Sequence, residues 1–348
     1  MEENRPLAAY TTFGIGGPAR WFAEAVSEDD VVEAAARARE RRVPLFVLGG
    51  GSNLLVADKG FDGLVLHVAL RGISEAEGAA EDGAPRRIFR AAAGEEWEQC
   101  VQRALDAECA GIECLAGIPG TVGGTPVQNV GAYGQEVAPA IERVRAFDLE
   151  ERRFVELSAN ECGFSYRRSR FNTVDRGRFV VTRVDFRLTP GGAPAVRYPE
   201  LRRAVETELA GGAEPTLAQV AEMVRCIRRS KGMLIVEGDA DGRSAGSFFK
   251  NPVVPIERLQ RSAARGAPQF PAGEGCVKIS AAWLIEQAGF PKGYTMGRAG
   301  ISTRHTLALV NRGGATAAEI LALAEKIATA VEERFGIRLE REPVLVGA

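Results

Sequence analysis

Metal-binding residues are scarce in this sequence. It holds two histidines, His67 and His305, and six cysteines, Cys100, Cys109, Cys114, Cys162, Cys226 and Cys276, with no Cys-x-x-Cys pair. A zinc ion needs several such ligands at close spacing, so no metal site is expected. Scattered thiols fit a reducing compartment, and the acidic, polar start Met1-Glu2-Glu3-Asn4-Arg5-Pro6 does not read as a secretion signal, so a cytoplasmic protein is expected. No apolar run approaches the roughly 20 residues of a membrane-spanning helix, so no membrane insertion is expected. A net charge of −2 gives no global attraction to nucleic acid or to an anionic lipid surface. No Walker A sequence occurs, which disfavours a P-loop nucleotidase. Gly14-Ile15-Gly16-Gly17-Pro18-Ala19 matches a dinucleotide-binding fingerprint by letters, but it precedes a strand instead of joining a strand to a helix. That reading is rejected.

What is present is enough apolar residue, 45% of 348, to fill cores in a chain longer than one typical domain. Arg20 to Val26 reads as a strand. Ser27 caps the helix that follows, Glu28, Asp29 and Asp30 suit its first turn, and Val31, Val32, Ala35 and Ala36 give it one apolar face up to Arg42. Pro44 to Leu48 is a short strand that ends in Gly49-Gly50-Gly51-Ser52-Asn53 and leads into extended chain at Leu54-Leu55-Val56. Further strands are expected at 87–93, 141–147, 153–157 and 179–188, with an amphipathic helix over 94–108. Capping boxes at Thr216–Gln219 and Thr316–Glu319 open helices reaching about Arg229 and Phe335. Another helix is expected over 281–289, and Ile337 to Val346 reads as a closing strand. The pattern is that of three α/β units.

Forty glycines are the one unusual count, and they cluster. In Gly49-Gly50-Gly51-Ser52-Asn53 the backbone N–H groups can converge on an anion, with Ser52 and Asn53 as added donors. A pyrophosphate is the natural guest, and a tight strand-to-strand turn would need fewer glycines. Gly117-Ile118-Pro119-Gly120-Thr121-Val122-Gly123-Gly124, continuing to Gln128-Asn129-Val130-Gly131-Ala132-Tyr133-Gly134, suits a backbone wrapped around a flat or phosphorylated ligand. A disordered loop would be richer in Ser, Glu and Lys. Gly246-Ser247-Phe248-Phe249-Lys250-Asn251-Pro252 gathers a hydroxyl, an ammonium and an amide, yet alone it reads equally well as an apolar strand entering a turn. Tyr166-Arg167-Arg168-Ser169-Arg170-Phe171 offers a guanidinium fork for a carboxylate, or is a solvated turn. Glu340 and Glu342, two apart on the expected closing strand, face the same way, and spacing does not choose between them.

Taken together and in order, Thr12-Phe13-Gly14-Ile15-Gly16-Gly17, Leu48 to Leu54, Gly117 to Gly124, Gly131 to Gly134, Tyr166-Arg167, Gly246 to Pro252 and Leu339-Glu340-Arg341-Glu342 closely resemble the MurB reductase family of bacterial cell-wall synthesis. The resemblance implies a multidomain α+β and α/β protein with a FAD-binding fold of the vanillyl-alcohol-oxidase (PCMH) type. Residues 1–70 would form a first FAD-binding subdomain, to which a strand at 337–348 returns, and residues 71–212 a second. Residues 213–336 would form a smaller α+β substrate domain. It implies FAD held without a covalent bond by Gly49, Gly50, Gly51, Ser52, Asn53, Leu54, Pro119, Gly120, Gly123, Gly124, Gly131, Ala132 and Tyr133. It also implies NADPH as co-substrate, a UDP-sugar substrate and a monomeric protein.

By the same resemblance Arg167, Ser247 and Glu342 occupy the catalytic positions. NADPH reduces the flavin, whose N5 then passes hydride to the terminal carbon of an enolpyruvyl ether. Arg167 with Glu342 would stabilise the enolate-like charge that develops, and Ser247 would give a proton to the adjacent carbon. Tyr198, Lys231, Asn251 and Lys278 match positions that hold the UDP-sugar. Of the two acids, Glu342 and not Glu340 fits the pattern. Gly232-Met233-Leu234-Ile235 departs from the family's frequent Leu-Pro-Asp-Pro, and Phe270 stands in a substrate-covering loop, 266–275, where tyrosine is usual. Two other readings compete. One is a related flavoprotein oxidase acting on an alcohol or sugar, which the Ser247 and Arg167 motifs disfavour. The other is a UDP-sugar-binding regulator, which flavin content would separate from an enzyme.

Overall fold

Local signals set the helix ends. In the computed structural model, which describes residues 1–79, 83, 85–209, 212–273 and 275–347, the Ser27 and Asp30 side chains each bond the other's backbone and open the helix Glu28–Glu40. Thr216 and Gln219 do the same for Leu217–Ser230, as do Thr316 and Glu319 for Ala317–Phe335, which Gly336 ends in the left-handed region at φ +66°. The boxes at Thr216 and Thr316 and the Ser27 cap were readable in the sequence; the reciprocal bond from Asp30 is seen only in the structure. The helix Pro199–Glu208 was not expected; it opens on a proline at its first position, where the missing N–H costs nothing.

The chain forms two compact units. One comprises Met1–Arg5, Ala19–Gly50 and Asp62–Arg229, the other Pro6–Pro18, Gly51–Phe61 and Ser230–Ala348. The first holds a four-stranded sheet in the order Glu2–Pro6, Pro18–Ala25, Phe61–Val68, Leu45–Leu48, whose last two strands run parallel. It also holds an antiparallel sheet in the order Arg153–Ser158, Ile141–Asp148, Phe179–Pro190, Pro85–Ala92, Ile73–Ala79, with Cys109–Ala110 paired to the end of Phe179–Pro190. The helix Trp97–Asp106 packs into this unit's core, where Trp97 is fully buried, tilted against Phe186 at 5.6 Å, and donates from Nε1 to Leu115 O at 2.9 Å.

The second unit has its own core around Phe13, Phe248, Phe249, Leu284, Ile320 and Ile327. It carries two three-stranded antiparallel sheets, Val253–Pro255, Cys276–Ile279, Gln269–Pro271 and Thr295–Met296, Ala299–Ile301, Leu309–Asn311. A parallel pair joins Val344–Val346 to Leu54–Val56. The expected closing strand over 337–346 is therefore shorter: only Val344–Val346 is a strand, preceded by a single bridge between Arg341 and Phe249. Pro343 has no N–H to give a ladder and separates the two pairings.

Candidate active site

Two of the glycine segments, 70 residues apart, meet in the first unit. A Cβ on Gly50 would lie 2.6 Å from Gly120 Cα, and one on Gly49 2.8 Å from Thr121 Oγ1, so the two backbones approach as only glycine allows. The second segment is fixed from its own side. Trp97 N–H donates to Gly120 O at 3.0 Å, Val122 N–H to Glu95 O at 2.9 Å, and Gly123 N–H to Ala93 O at 2.8 Å. Gly124 is exposed, and a Cβ there would meet nothing within 4 Å. Pro119 is half-buried. Backbone, not side chains, lines this surface, and the open space beside Gly124 lets a flat, phosphorylated group such as FAD approach it closely.

The loop's opening residue is clamped by charge. Gly117 N–H donates to Glu98 Oε2 at 2.6 Å, and its carbonyl accepts from Arg228 Nε at 2.9 Å. Arg225 Nε bonds the other oxygen of Glu98 at 2.7 Å. Arg228 is 6% exposed, and burial pushes its guanidinium below the ordinary range. Its role was missed in the sequence, where a cation near a helix end already has an explanation and Gly117 lies 111 residues away.

Arg167 is one of seven non-glycine residues in the left-handed region among those described, at φ +56°. It sits in a two-residue turn closed by mutual 3.0 Å bonds between Ser165 and Arg168, a conformation that side chains rarely adopt without a reason. The turn carries Arg167 back to the glycine segment: Nη2 donates to Gly131 O at 2.7 Å, and a Cβ on Gly131 would lie 3.2 Å from Nη1. Asn129 secures the arrangement from Nδ2, donating to Ser165 O at 3.0 Å and to the Glu136 carboxylate at 2.9 Å. Gly131–Ala132 pairs with Gln135–Glu136, and the hairpin turn presents Tyr133 edge-on to Tyr198, ring centroids 5.7 Å apart. Burial pushes the Tyr133 phenol up to about 12 and also raises that of Tyr198.

The remaining named residues lie in the second unit. Gly51 is left-handed at φ +63°, and a Cβ there would lie 1.7 Å from Tyr10 O. Ser52 and Leu54 are half-buried, and Asn53 accepts at its carbonyl from Val344 N–H at 2.9 Å while Nδ2 reaches Glu342 O at 3.5 Å. Ser247 follows left-handed Gly246 and pairs with Ala308. Phe248 N–H donates to Leu307 O at 2.7 Å, and Phe248 O accepts from Glu342 N–H at 2.9 Å. The segment is thus the middle of three paired runs, and Glu342 lies beside it one residue along from Ser247. Phe248 and Phe249 are each 1% exposed and anchor it. The segment is extended chain held by two isolated bridges and not a regular strand, and its core anchorage leaves Ser247 half-buried. Glu340 differs from Glu342. Its carboxylate is 69% exposed and forms a 3.7 Å surface pair with Lys250.

Asn251 Oδ1 accepts from Ala281 N–H at 2.9 Å. Two residues on, Val253 stands opposite Lys278 in the sheet, with Phe270 opposite Lys278 on its other side. Cross-strand partners share a face, so Phe270 and Lys278 are neighbours, both half-buried. Phe270 lies on an edge strand within the expected covering loop, whose residue Glu274 is outside the described residues. Lys231 is half-buried just before the left-handed Gly232. His67, in the strand Phe61–Val68, stacks on Phe22 with its Nδ1 3.0 Å from Glu24, which is a structural placement. Among the described residues no cluster of His, Cys, Asp and Glu could hold a metal ion, and no helix is long and apolar enough to cross a membrane.

Comparison with known families agrees with this geometry. A model of a FAD binding domain matches residues 19–150, and a model of the C-terminal domain of UDP-N-acetylenolpyruvoylglucosamine reductase matches residues 238–346. The class is therefore a flavoprotein with an added C-terminal domain, as the resemblance implied. The chain is 47% identical over 354 residues to UDP-N-acetylenolpyruvoylglucosamine reductase of Thermobifida fusca (strain YX), covering 99% of this chain and 97% of that one. It is 48% identical over 353 residues to the enzyme of that name from Streptomyces coelicolor, covering 98% and 89%. The crystal structure of UDP-N-acetylenolpyruvylglucosamine reductase (MurB) from Thermus caldophilus superposes with a TM-score of 0.65 at 28% identity, covering 99% of this chain and 98% of that one. The chain belongs to the UDP-N-acetylenolpyruvoylglucosamine reductase family.

Proposed function

We propose that NADPH is the electron source for this chain and that Arg167, Ser247 and Glu342 carry the chemistry. As a member of its family the chain is an oxidoreductase of peptidoglycan precursor synthesis, and it reduces UDP-N-acetylenolpyruvoylglucosamine with FAD as cofactor. FAD, when bound, supplies the two-electron carrier between NADPH and the enolpyruvyl double bond. In this reading Gly49 to Leu54, Pro119, Gly120, Gly123, Gly124 and Gly131 to Tyr133 hold it. Backbone amides meet the pyrophosphate, and Tyr133 closes off water.

The protein's own part in the reduction is to manage charge and a proton on the substrate. Hydride addition at the terminal carbon leaves an electron pair on the adjacent carbon, delocalised into the carboxylate as an enolate. Arg167, a permanent cation on a strained turn, stabilises that charge together with Glu342. The Ser247 hydroxyl gives the proton to the adjacent carbon, and the product is UDP-N-acetylmuramate. Tyr198, Lys231, Asn251, Phe270 and Lys278 bind the sugar nucleotide. Residues 1–70 with 337–348, 71–212 and 213–336 divide these tasks as two flavin subdomains and one substrate domain.

One observation carries the assignment: both acids border the Gly246–Pro252 segment, but the Glu340 carboxylate is 69% exposed and pairs with Lys250, whereas Glu342, opposite Phe248, is half-buried. All six cysteines are free thiols, which supports a cytoplasmic location, and we infer a monomer with non-covalently bound FAD. An anaerobic titration tests the reading. NADPH should bleach the flavin and the enolpyruvyl sugar nucleotide should restore its colour; a flavin that NADPH leaves oxidised would remove NADPH from the reaction.

A further inference from the structure

We propose that Asp239, Asp241 and Arg304 form a positioning network that fixes Lys231 and Ser247 relative to one another on the sugar-nucleotide side of the site. The inference rests on the roles assigned above to those two residues. Asp241 is 4% exposed, yet it is a carboxylate surrounded by hydrogen-bond donors. Thr303 donates to it from the hydroxyl at 2.6 Å and from the backbone at 3.1 Å, and Arg304 Nε donates at 3.2 Å. Burial alone would raise this carboxyl; the Thr303, Ser302 and Arg304 hydrogen bonds outweigh it and hold it below the usual range. Arg304 Nη2 pairs with Asp239, whose other oxygen accepts from Asp241 N–H at 3.0 Å.

Three stretches of chain meet on this ion pair. The first is the turn after Lys231. Gly232 is left-handed at φ +65°, and a Cβ there would lie 3.0 Å from Arg304 Nε and Nη2 and 3.0 Å from Asp241 Cβ. The residue next to Lys231 therefore rests directly on the guanidinium. Gly232-Met233-Leu234-Ile235 has no proline to fix its own course, so packing on the ion pair sets it. The second stretch runs from Arg304 to Leu307 and Ala308, which pair with Phe248 and Ser247. The third runs from Asp241 to Ser244, whose hydroxyl accepts from Gly246 N–H at 3.2 Å. Both chain neighbours of the Ser247 segment are thus tied to the support beneath Lys231.

A buried ion pair is a poor source of net stability, because desolvation offsets the Coulomb gain. What it supplies is geometry: a planar guanidinium fork donates to its two carboxylates in one orientation, and a lysine in its place does not reproduce it. Misplacing a binding group by about 1 Å can cost around 10²-fold in rate.

The test uses the full chain with FAD and the variants Arg304→Lys, Asp241→Asn and Asp239→Asn, beside Lys231→Ala and Ser247→Ala. Flavin content, thermal melting, flavin reduction by NADPH, and reoxidation by UDP-N-acetylenolpyruvoylglucosamine are measured for each. The network variants should raise KM for the sugar nucleotide and slow reoxidation, together about 10- to 100-fold. Flavin content and the NADPH step should change little, and Arg304→Lys, which keeps the charge but not the fork, should lose less than Asp241→Asn. Folded variants with wild-type KM and reoxidation would overturn the inference, as would equal slowing of both half-reactions in step with lost melting temperature. If Asp241→Asn does not fold, Asp239→Asn decides by the same criteria, since its side chain is 20% exposed and it removes one arm of the fork. Unchanged reoxidation in Lys231→Ala and Ser247→Ala would instead sink the site assignment, whatever Arg304 does.

Discussion

Gly50 and Gly120 in the first unit leave no space for a Cβ between them, whereas Ser247 in the second is held by two phenylalanines driven into the core. One surface is made by withholding side chains so that two backbone segments can meet. The other is made by anchoring a segment so firmly that one hydroxyl is held in place. The difference sets how each region fails. A methyl group added to the first collides with backbone, which cannot step aside. A hydroxyl removed from the second should leave the fold intact, because the two phenylalanines and not Ser247 anchor the segment.

Ser247→Ala should give the largest effect. Loss of a positioned general acid costs about 10²–10⁴-fold, so stopped-flow absorbance should show reoxidation slowed by that factor while reduction by NADPH is nearly intact. Equal slowing of both would mean that Ser247 places the flavin. Trp97→Ala strikes the support of the glycine cradle, since its ring fills the core and its Nε1 donates to Leu115 O, just before the Gly117–Gly124 segment. Truncating a buried tryptophan costs about 3–5 kcal/mol, measurable by urea unfolding, and flavin should be lost with it. Gly50→Ala is more local: overpacking costs about 1–3 kcal/mol, and the purified protein should retain less FAD by absorbance. Gly124→Ala, where a Cβ meets nothing, should keep its flavin. Equal flavin content in the two would break the contrast between the regions.

A fourth prediction turns on charge. Asp148, 2% exposed, takes Arg178 Nη2 at 2.7 Å and the amides of Glu150 and Glu151 at 2.9 and 3.1 Å. The Arg178 guanidinium, first among these, holds its carboxyl below the usual range. A depressed folded pKa means stability that is present above the ordinary carboxylate value of about 4 and lost as pH falls through the folded value. Asp148→Asn should therefore be less stable by about 1.5–3 kcal/mol near neutral pH, and the gap in melting temperature should close in acid. A gap that persists at low pH would show that shape, not charge, matters there.

The smallest effect is expected at Phe270. It is half-buried on an edge strand opposite Lys278, so Phe270→Ala should cost less than the roughly 3–5 kcal/mol of a core phenylalanine while weakening the sugar nucleotide. Phe270→Tyr should be tolerated. Thermal melts beside substrate titrations decide: a large melting loss with unchanged affinity would make Phe270 a core residue.

Much of this protein is local in origin, and the sequence alone determined those parts. Ser27, Thr216 and Thr316 each start a helix through partners three residues away, and no distant packing is needed to read them. The glycine segments were legible because so many glycines exceed what ordinary turns require. The tertiary structure decided what depends on distant partners. The closing strand shrank to Val344–Val346 because its ladder needed a partner that Pro343 interrupts. Glu340 and Glu342 are equivalent by spacing and both border the Gly246–Pro252 segment, and only the packing around each separates an exposed ion pair with Lys250 from a half-buried acid opposite Phe248. Arg228 under Gly117, and Arg304 between Asp239 and Asp241, are ordinary arginines in the sequence. Their partners lie 63 to 111 residues away, and a buried charge takes its meaning from the atoms packed around it.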